Sequence, residues 1–140
     1  MTWIIYALLS ALFASLTAIL AKIGVKDVDS NLATAIRTVI ILLFAWGIVM
    51  FQGTFKQIPQ ISKYSLLFLV LSGLATGISW LFYFKALQSG NASQVAPIDK
   101  LSLALTIILA VIILKEKVSI SVVFGTVLMI AGAILVGFGK

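Results

Sequence analysis

The chain contains no cysteine and no histidine, and only four acidic residues stand against ten lysines and arginines. Zinc, haem, iron–sulfur and disulfide chemistry therefore lack their usual ligands, and no metal or cofactor is expected. A Ser-His-Asp or Cys-His catalyst is excluded for the same reason, as is a histidine pH switch. No G-x-x-x-x-G-K-[ST] string occurs, so ATP drive is not encoded. These absences argue against an enzyme. Charge of either sign is scarce, at 10% of residues, where a soluble domain carries roughly 25%.

What fills the sequence instead is apolar, at 62% of 140 residues. A soluble chain of this size cannot hide that much apolar surface, because small domains leave a large share of their area exposed. The net charge of +6 would suggest nucleic acid in a soluble protein; lysines in loops at a membrane interface explain it here, and no nucleic-acid partner is expected. Five spans fit, at about residues 2–21, 32–51, 65–87, 93–114 and 119–138, each near the roughly 20 residues a spanning helix needs. The separators are short and polar: Lys22 to Asn31, Gln52 to Tyr64, Gln88 to Ala92 and Lys115 to Val118. They leave no room for a soluble domain, so residues 1–140 read as one transmembrane domain. No basic segment precedes Trp3, and the first apolar run exceeds a signal-peptide core, so it reads as a retained span.

An odd number of spans puts the two ends of the chain on opposite sides. Lys56, Lys63, Lys115 and Lys117 then fall on one side, against Lys22, Lys26, Lys85 and Lys140 on the other. Arg37 and Lys100 lie deeper and tilt the second side only slightly. So balanced a count selects no orientation by the positive-inside rule. Insertion of copies both ways is one consequence; orientation set by one dominant loop, a partner or the lipid is the other.

Small residues mark faces along which helices approach closely in lipid. Ala7, Ser10, Ala14, Thr17 and Ala21 form such a stripe on the first span. Gly73 and Gly77 form a GxxxG on the third, Gly125, Gly132 and Gly139 recur every seven residues on the fifth, and Ala133 and Gly137 make a further small pair there. The heptad glycines suggest a seam between subunits; ordinary packing within one bundle is the alternative. On the third span Ser72, Thr76, Ser79 and Tyr83 share a polar stripe, with Trp80 beside it and deep in the span. Such a tryptophan is either core or the wall of a substrate cavity. Trp3 and Tyr64, at span ends, read as interfacial anchors.

Charge at depth carries the functional reading. The fourth span opens Val95-Ala96-Pro97-Ile98-Asp99-Lys100-Leu101-Ser102, and no charge follows from Leu101 to Leu114. Arg37 lies about five residues inside the second span, and Lys85 and Lys22 end the third and first on the same side. Ions in a span cost at least a few kcal/mol each, and by default mark a substrate or ion path. Two arrangements fit this layer. An Arg37–Asp99 or Lys85–Asp99 ion pair would let both charges stay in the membrane; a surplus of positive charge would face a carboxylate or phosphate on a substrate. Pro97 removes a backbone donor and frees a carbonyl one turn back, and broken helices at membrane depth are common at transporter sites.

With these strings in view, the chain resembles an EamA-type module of the drug/metabolite transporter superfamily. The matching stretches are Ala96-Pro97, Ser102 and its long apolar helix, Leu114-Lys115-Glu116-Lys117-Val118-Ser119 and the helix from Gly125 to Val136. Arg37 and Tyr83-Phe84-Lys85-Ala86-Leu87 fit as well. The resemblance covers essentially the whole chain, and its individual motifs are degenerate. It implies an all-α membrane protein: a bundle of five transmembrane helices that is one half of an inverted-repeat ten-helix transporter, here of the short five-span bacterial and archaeal kind. It also implies residence in a prokaryotic cytoplasmic membrane and a small-molecule substrate, on which the basic layer suits an anionic group; with the odd span count and the balanced charges, it leads to an antiparallel homodimer that rebuilds the second half. Arg37, Lys85, Asp99 and Lys100 become candidate binding residues by that analogy, and join Ser79, Trp80, Tyr83 and Pro97. The small multidrug resistance family differs by a membrane glutamate in its first span, where this chain has no acid from Met1 to Ala21. The expected function is secondary transport or export of a small polar metabolite by alternating access. The competing expectation is a non-transporting subunit, or a half-transporter that needs a heterologous partner.

Overall fold

A computed structural model describes residues 2–139; Met1 and Lys140, the latter counted above among the cations of the second side, lie outside them. The described chain is helical, without strands, and five of its segments are long and apolar enough to cross a membrane. They are α1 (Thr2–Gly24), α2 (Ser30–Phe51), α3 (Lys63–Ser89), the consecutive α4 (Ala92–Asp99) and α5 (Leu101–Ile113), and α6 (Ile120–Phe138). The expected all-α, five-span membrane fold is what the protein has. Leu, Ile, Val and Phe side chains along the spans are mostly exposed, as suits surfaces solvated by lipid.

Local chemistry sets the helix ends. The Asp29 side chain accepts hydrogen bonds from the backbone N–H groups of Asn31 and Leu32, at 2.9 and 3.1 Å, and so caps α2. The Ser62 hydroxyl accepts from Ser65 N at 3.0 Å ahead of α3, and Ser119 accepts from Val122 N to start α6. Gly53, at φ 68°, takes the left-handed conformation that turns the chain out of α2 into a 3-10 segment over Thr54–Gln60. Lys115 takes the same region at φ 54° after α5, and Glu116 N–H reaches back to the carbonyl of Ala110. Within the spans, the hydroxyls of Thr34, Thr38, Thr76, Thr106 and Thr126 each donate to the carbonyl four residues back, which satisfies them without a partner helix.

The fourth span is two helices. Pro97 sits inside α4 and cannot donate to the carbonyl of Ser93, yet the helix runs on to Asp99. The break comes at Lys100, whose N–H is shared between the carbonyls of Ala96 (3.3 Å) and Pro97 (3.1 Å) before α5 restarts.

The described chain divides into two compact units, one of residues 2–20 and 89–139 and the other Ala21–Gln88. In the first, α4 and α5 pack on α6, with Ala104 and Ala133 buried. A Cβ placed on Gly137 would lie 2.6 Å from Ile98 Cγ1, so α4 seats against α6 at Gly137. In the second, the core gathers where α1 ends, α2 begins and α3 ends: Val25, Ser30, Thr34, Phe84 and Leu87 are all buried. The Gln88 side chain donates to the carbonyls of Val25 and Val28, at 3.4 and 3.0 Å, and Lys22 Nζ donates to Leu87 O at 2.6 Å.

Candidate functional site

The charged residues of the spans fall into two clusters, one in each unit. In the unit Ala21–Gln88, Arg37 lies two turns into α2, one turn beyond the buried Thr34. Its guanidinium carbon is 4.3 Å from the centroid of the Trp80 ring and 5.3 Å from that of Phe84. Trp80 and Phe84 stand four residues apart on α3 and so share a face, which gives the cation two aromatic surfaces within the distance at which ring quadrupoles attract it. Tyr83 is half-buried, with its ring edge-on to Phe84 at 6.4 Å. The hydroxyls of Thr34 and Thr38, which flank Arg37 on α2, are spent on backbone carbonyls. Within this unit, among the described residues, Asp29 is occupied with its cap, and no carboxylate pairs with Arg37.

A guanidinium laid on an aromatic face keeps its full charge, and its in-plane N–H groups remain able to donate to a carboxylate or phosphate. Ser79 is exposed on α3 one residue before Trp80, and Lys85 is exposed one residue after Phe84 and has an interaction of its own. In the polar stripe of this helix, Thr76 bonds back to Ser72 O at 2.9 Å.

In the other unit, the Asp99 carboxylate pairs with its neighbour Lys100 at 3.6 Å, with side-chain exposures of 37% and 55%. A pair that open is weakly held, by about 0–1 kcal/mol. It marks the break between α4 and α5, two residues after Pro97, so the one acid within the described spans sits where the backbone is irregular. Of the heptad glycines, a Cβ at Gly125 or Gly132 meets nothing within 4 Å, whereas one at Gly139 would strike the carbonyl of Leu135 at 2.6 Å. Gly125 and Gly132 thus face open space on α6, and Gly139 is tight because of its own helix end.

Arg37, Trp80, Pro97, Asp99 and Lys100 were all candidates from sequence, but separately: the Arg37–Trp80 contact was not expected, and Asp99 pairs with Lys100, where Arg37 or Lys85 had been the expected partners. Phe84 was missed as a site neighbour, although its spacing of four from Trp80 was the available signal. Gln88, which ties the end of α3 to the turn between α1 and α2, gave no sequence signal beyond its polarity at a span end.

The model of the EamA-like transporter family matches residues 1–138. The chain is 48% identical over 134 residues to a protein of a Sinorhizobium species described as an uncharacterized transporter in the cobO 3′ region; the match covers 96% of this chain and 95% of that one. It is 30% identical over 107 residues to an uncharacterized protein of Methanocaldococcus jannaschii, covering 70% of this chain and 78% of the relative. No solved structure matches.

Proposed function

This chain belongs to the EamA-like transporter family, and from that premise we propose that it is a secondary transporter of a small polar metabolite bearing an anionic group. The family and the transporter-named relative establish the transporter role and a multi-pass place in the cell membrane. The substrate class, the alternating-access cycle and the assembly are our reading. One observation carries the substrate class: the Arg37 guanidinium stacks on Trp80 and Phe84 inside a span, with no carboxylate of its own unit, among the described residues, to neutralise it. A cation at that depth is costly unless an anion joins it. A substrate carboxylate or phosphate supplies that anion, and leaves when the site opens to water.

In this reading Ser79, Tyr83 and Lys85 extend the Arg37–Trp80 surface along α3. Pro97, Asp99 and Lys100 place a separable ion pair at the break of the fourth span, where a small rotation of α4 against α5 changes what the pair faces. Residues 1–140 act as one transmembrane module of a prokaryotic cytoplasmic membrane. Two copies in opposite orientation restore the inverted ten-helix arrangement that alternating access uses, with Gly125, Gly132 and Gly139 on the candidate seam.

Ligand-induced stabilisation of the purified protein tests the substrate class. A solute at about 100 times its dissociation constant adds about 2.7 kcal/mol to the folded state, enough to move a melting midpoint. Among carboxylates, phosphates, zwitterions and cations, an anion is expected to raise the midpoint of the wild type and not that of Arg37→Gln. A shift produced by cations alone, or an equal anion shift in Arg37→Gln, would overturn the reading.

A further inference from the structure

Between α2 and α3 the chain does not turn straight back but makes a short helix. Thr54–Gln60 forms a 3-10 segment, and the Thr54 hydroxyl donates to Val49 O at 3.3 Å, so the segment is tied to the end of α2. At its far end Ile61 N–H reaches Ile58 O at 3.2 Å. Its residue pattern matches its geometry. A 3-10 helix has three residues per turn, so residues three apart stand in line. Phe55, Ile58 and Ile61 recur at that spacing, and so do Thr54, Gln57 and Gln60. One edge of the segment is therefore wholly apolar and another wholly polar. In an α-helix the same positions would drift by about 60° at each step, and the stripe would smear around the axis.

That apolar edge lies open: Phe55, Ile58 and Ile61 are 45%, 48% and 42% exposed. Its level names what covers it. The segment joins the end of one span to the start of the next, so it runs at the bilayer surface, where headgroups meet acyl chains. Tyr64, exposed and with its ring 4.7 Å from that of Phe68, opens α3 at the same level, as suits the aromatic belt of a membrane interface. Charge agrees with this. Residues 52–64 carry Lys56 and Lys63 and no acid, and both lysines are exposed. Lipid phosphates match the lysines, and acyl carbons match the stripe.

We propose that the 3-10 segment docks on the bilayer surface as an interfacial anchor. Phe55, Ile58 and Ile61 enter the boundary between headgroups and acyl chains, Thr54, Gln57 and Gln60 face water, and Lys56 and Lys63 reach the lipid phosphates. Amphipathic helices with lysine on the polar side and large apolar residues on the other lie in this way, their apolar face about 5–10 Å into the boundary. So seated, the segment holds the end of α2 and the start of α3 in the headgroup layer. Through α2 it also sets the depth of Arg37, roughly 20 Å farther along the same helix.

The chain has no cysteine, so single cysteines can be placed and spin-labelled in the full-length protein at Gln57, Ile58, Gln60 and Ile61. All four side chains are exposed, so the fold should tolerate the change, and an unaltered melting midpoint checks that it does. If one stripe variant does not fold, Phe55→Cys takes its place. In vesicles of phosphatidylglycerol and phosphatidylcholine, collision with oxygen and with a water-soluble nickel chelate reads the depth of each label. Gln57→Cys and Gln60→Cys are expected at or above the phosphates and open to nickel, and Ile58→Cys and Ile61→Cys about 5–10 Å below them, open to oxygen and shielded from nickel. The same access at all four positions, to either reagent, would remove the period of three and overturn the anchor. Shielding of Ile58→Cys and Ile61→Cys from both reagents would mean that protein, such as a second copy, covers the stripe, and would overturn it as well.

Discussion

A guanidinium within a membrane span must be held by something, and Arg37 is held by two rings rather than by a carboxylate of its own unit. That distinction makes the residue testable. Hydrogen bonds to a charged group contribute about 1.5–3 kcal/mol, so Arg37→Gln should weaken anion binding about tenfold to a hundredfold. Trp80→Leu removes one aromatic face at a cost of about 0.5–2 kcal/mol and should weaken the same binding less, by letting the guanidinium wander. Solute affinity measured on both purified variants checks the order; a larger loss in Trp80→Leu would point to direct contact of the ring with substrate instead. Asp99→Asn should abolish flux in proteoliposomes while the folded yield in detergent stays near wild type, because the Asp99–Lys100 pair is too exposed to carry stability. Wild-type flux in Asp99→Asn contradicts the role, and a lost yield without a separable flux defect assigns the acid to structure. Singly, these residues were legible in the sequence, since a charge or tryptophan at depth is rare enough to stand out. Their partners were not. Whether Arg37 meets an acid or a ring depends on the register of α2 against α3, which no spacing within one helix encodes.

Among the elements, α4 is the one whose packing is most specific. Its Ile98 fills the notch at Gly137 on α6 so closely that an added methyl group collides with it. Gly137→Ala should therefore lower the melting midpoint in detergent, with a cost of about 1–3 kcal/mol for overpacking. Ile98→Ala in the same chain should relieve part of that cost, giving a coupling of about 0.5–3 kcal/mol in the double-mutant cycle. Additive effects would mean that the contact is not what Gly137 is for. Span existence and type were readable throughout, because runs of apolar residues near 20 leave few alternatives. The ends shifted by two or three residues where a cap decided them, as with Asp29 before α2. The break of the fourth span was announced by Pro97 but falls three residues later, at Lys100: a proline within a helix removes one bond without ending the run. Small-residue patterns were legible only as surfaces. The structure gives Ala133 and Gly137 an intrachain partner and leaves Gly125 and Gly132 facing open space, a difference the sequence does not carry.

At the scale of the whole molecule, five spans and a lysine count that favours neither face underlie the proposal that copies insert both ways. A tag placed after Lys140 should then be labelled by impermeant reagents from both sides of the membrane. Labelling confined to one side would reject the antiparallel homodimer and call for a parallel dimer or a dedicated second half. Family membership was legible because short strings around Pro97, Lys115 and Lys85 lie in the right order along the whole chain. Assembly was not, because it depends on faces that a single chain leaves uncovered. Transport by this chain alone is the central claim. Purified protein, reconstituted without any partner, should carry an anionic metabolite down its gradient, and Arg37→Gln should raise the half-saturating concentration about tenfold or more. No flux across a panel of anionic metabolites from well-folded protein, or flux that Arg37→Gln leaves unchanged, would contradict it.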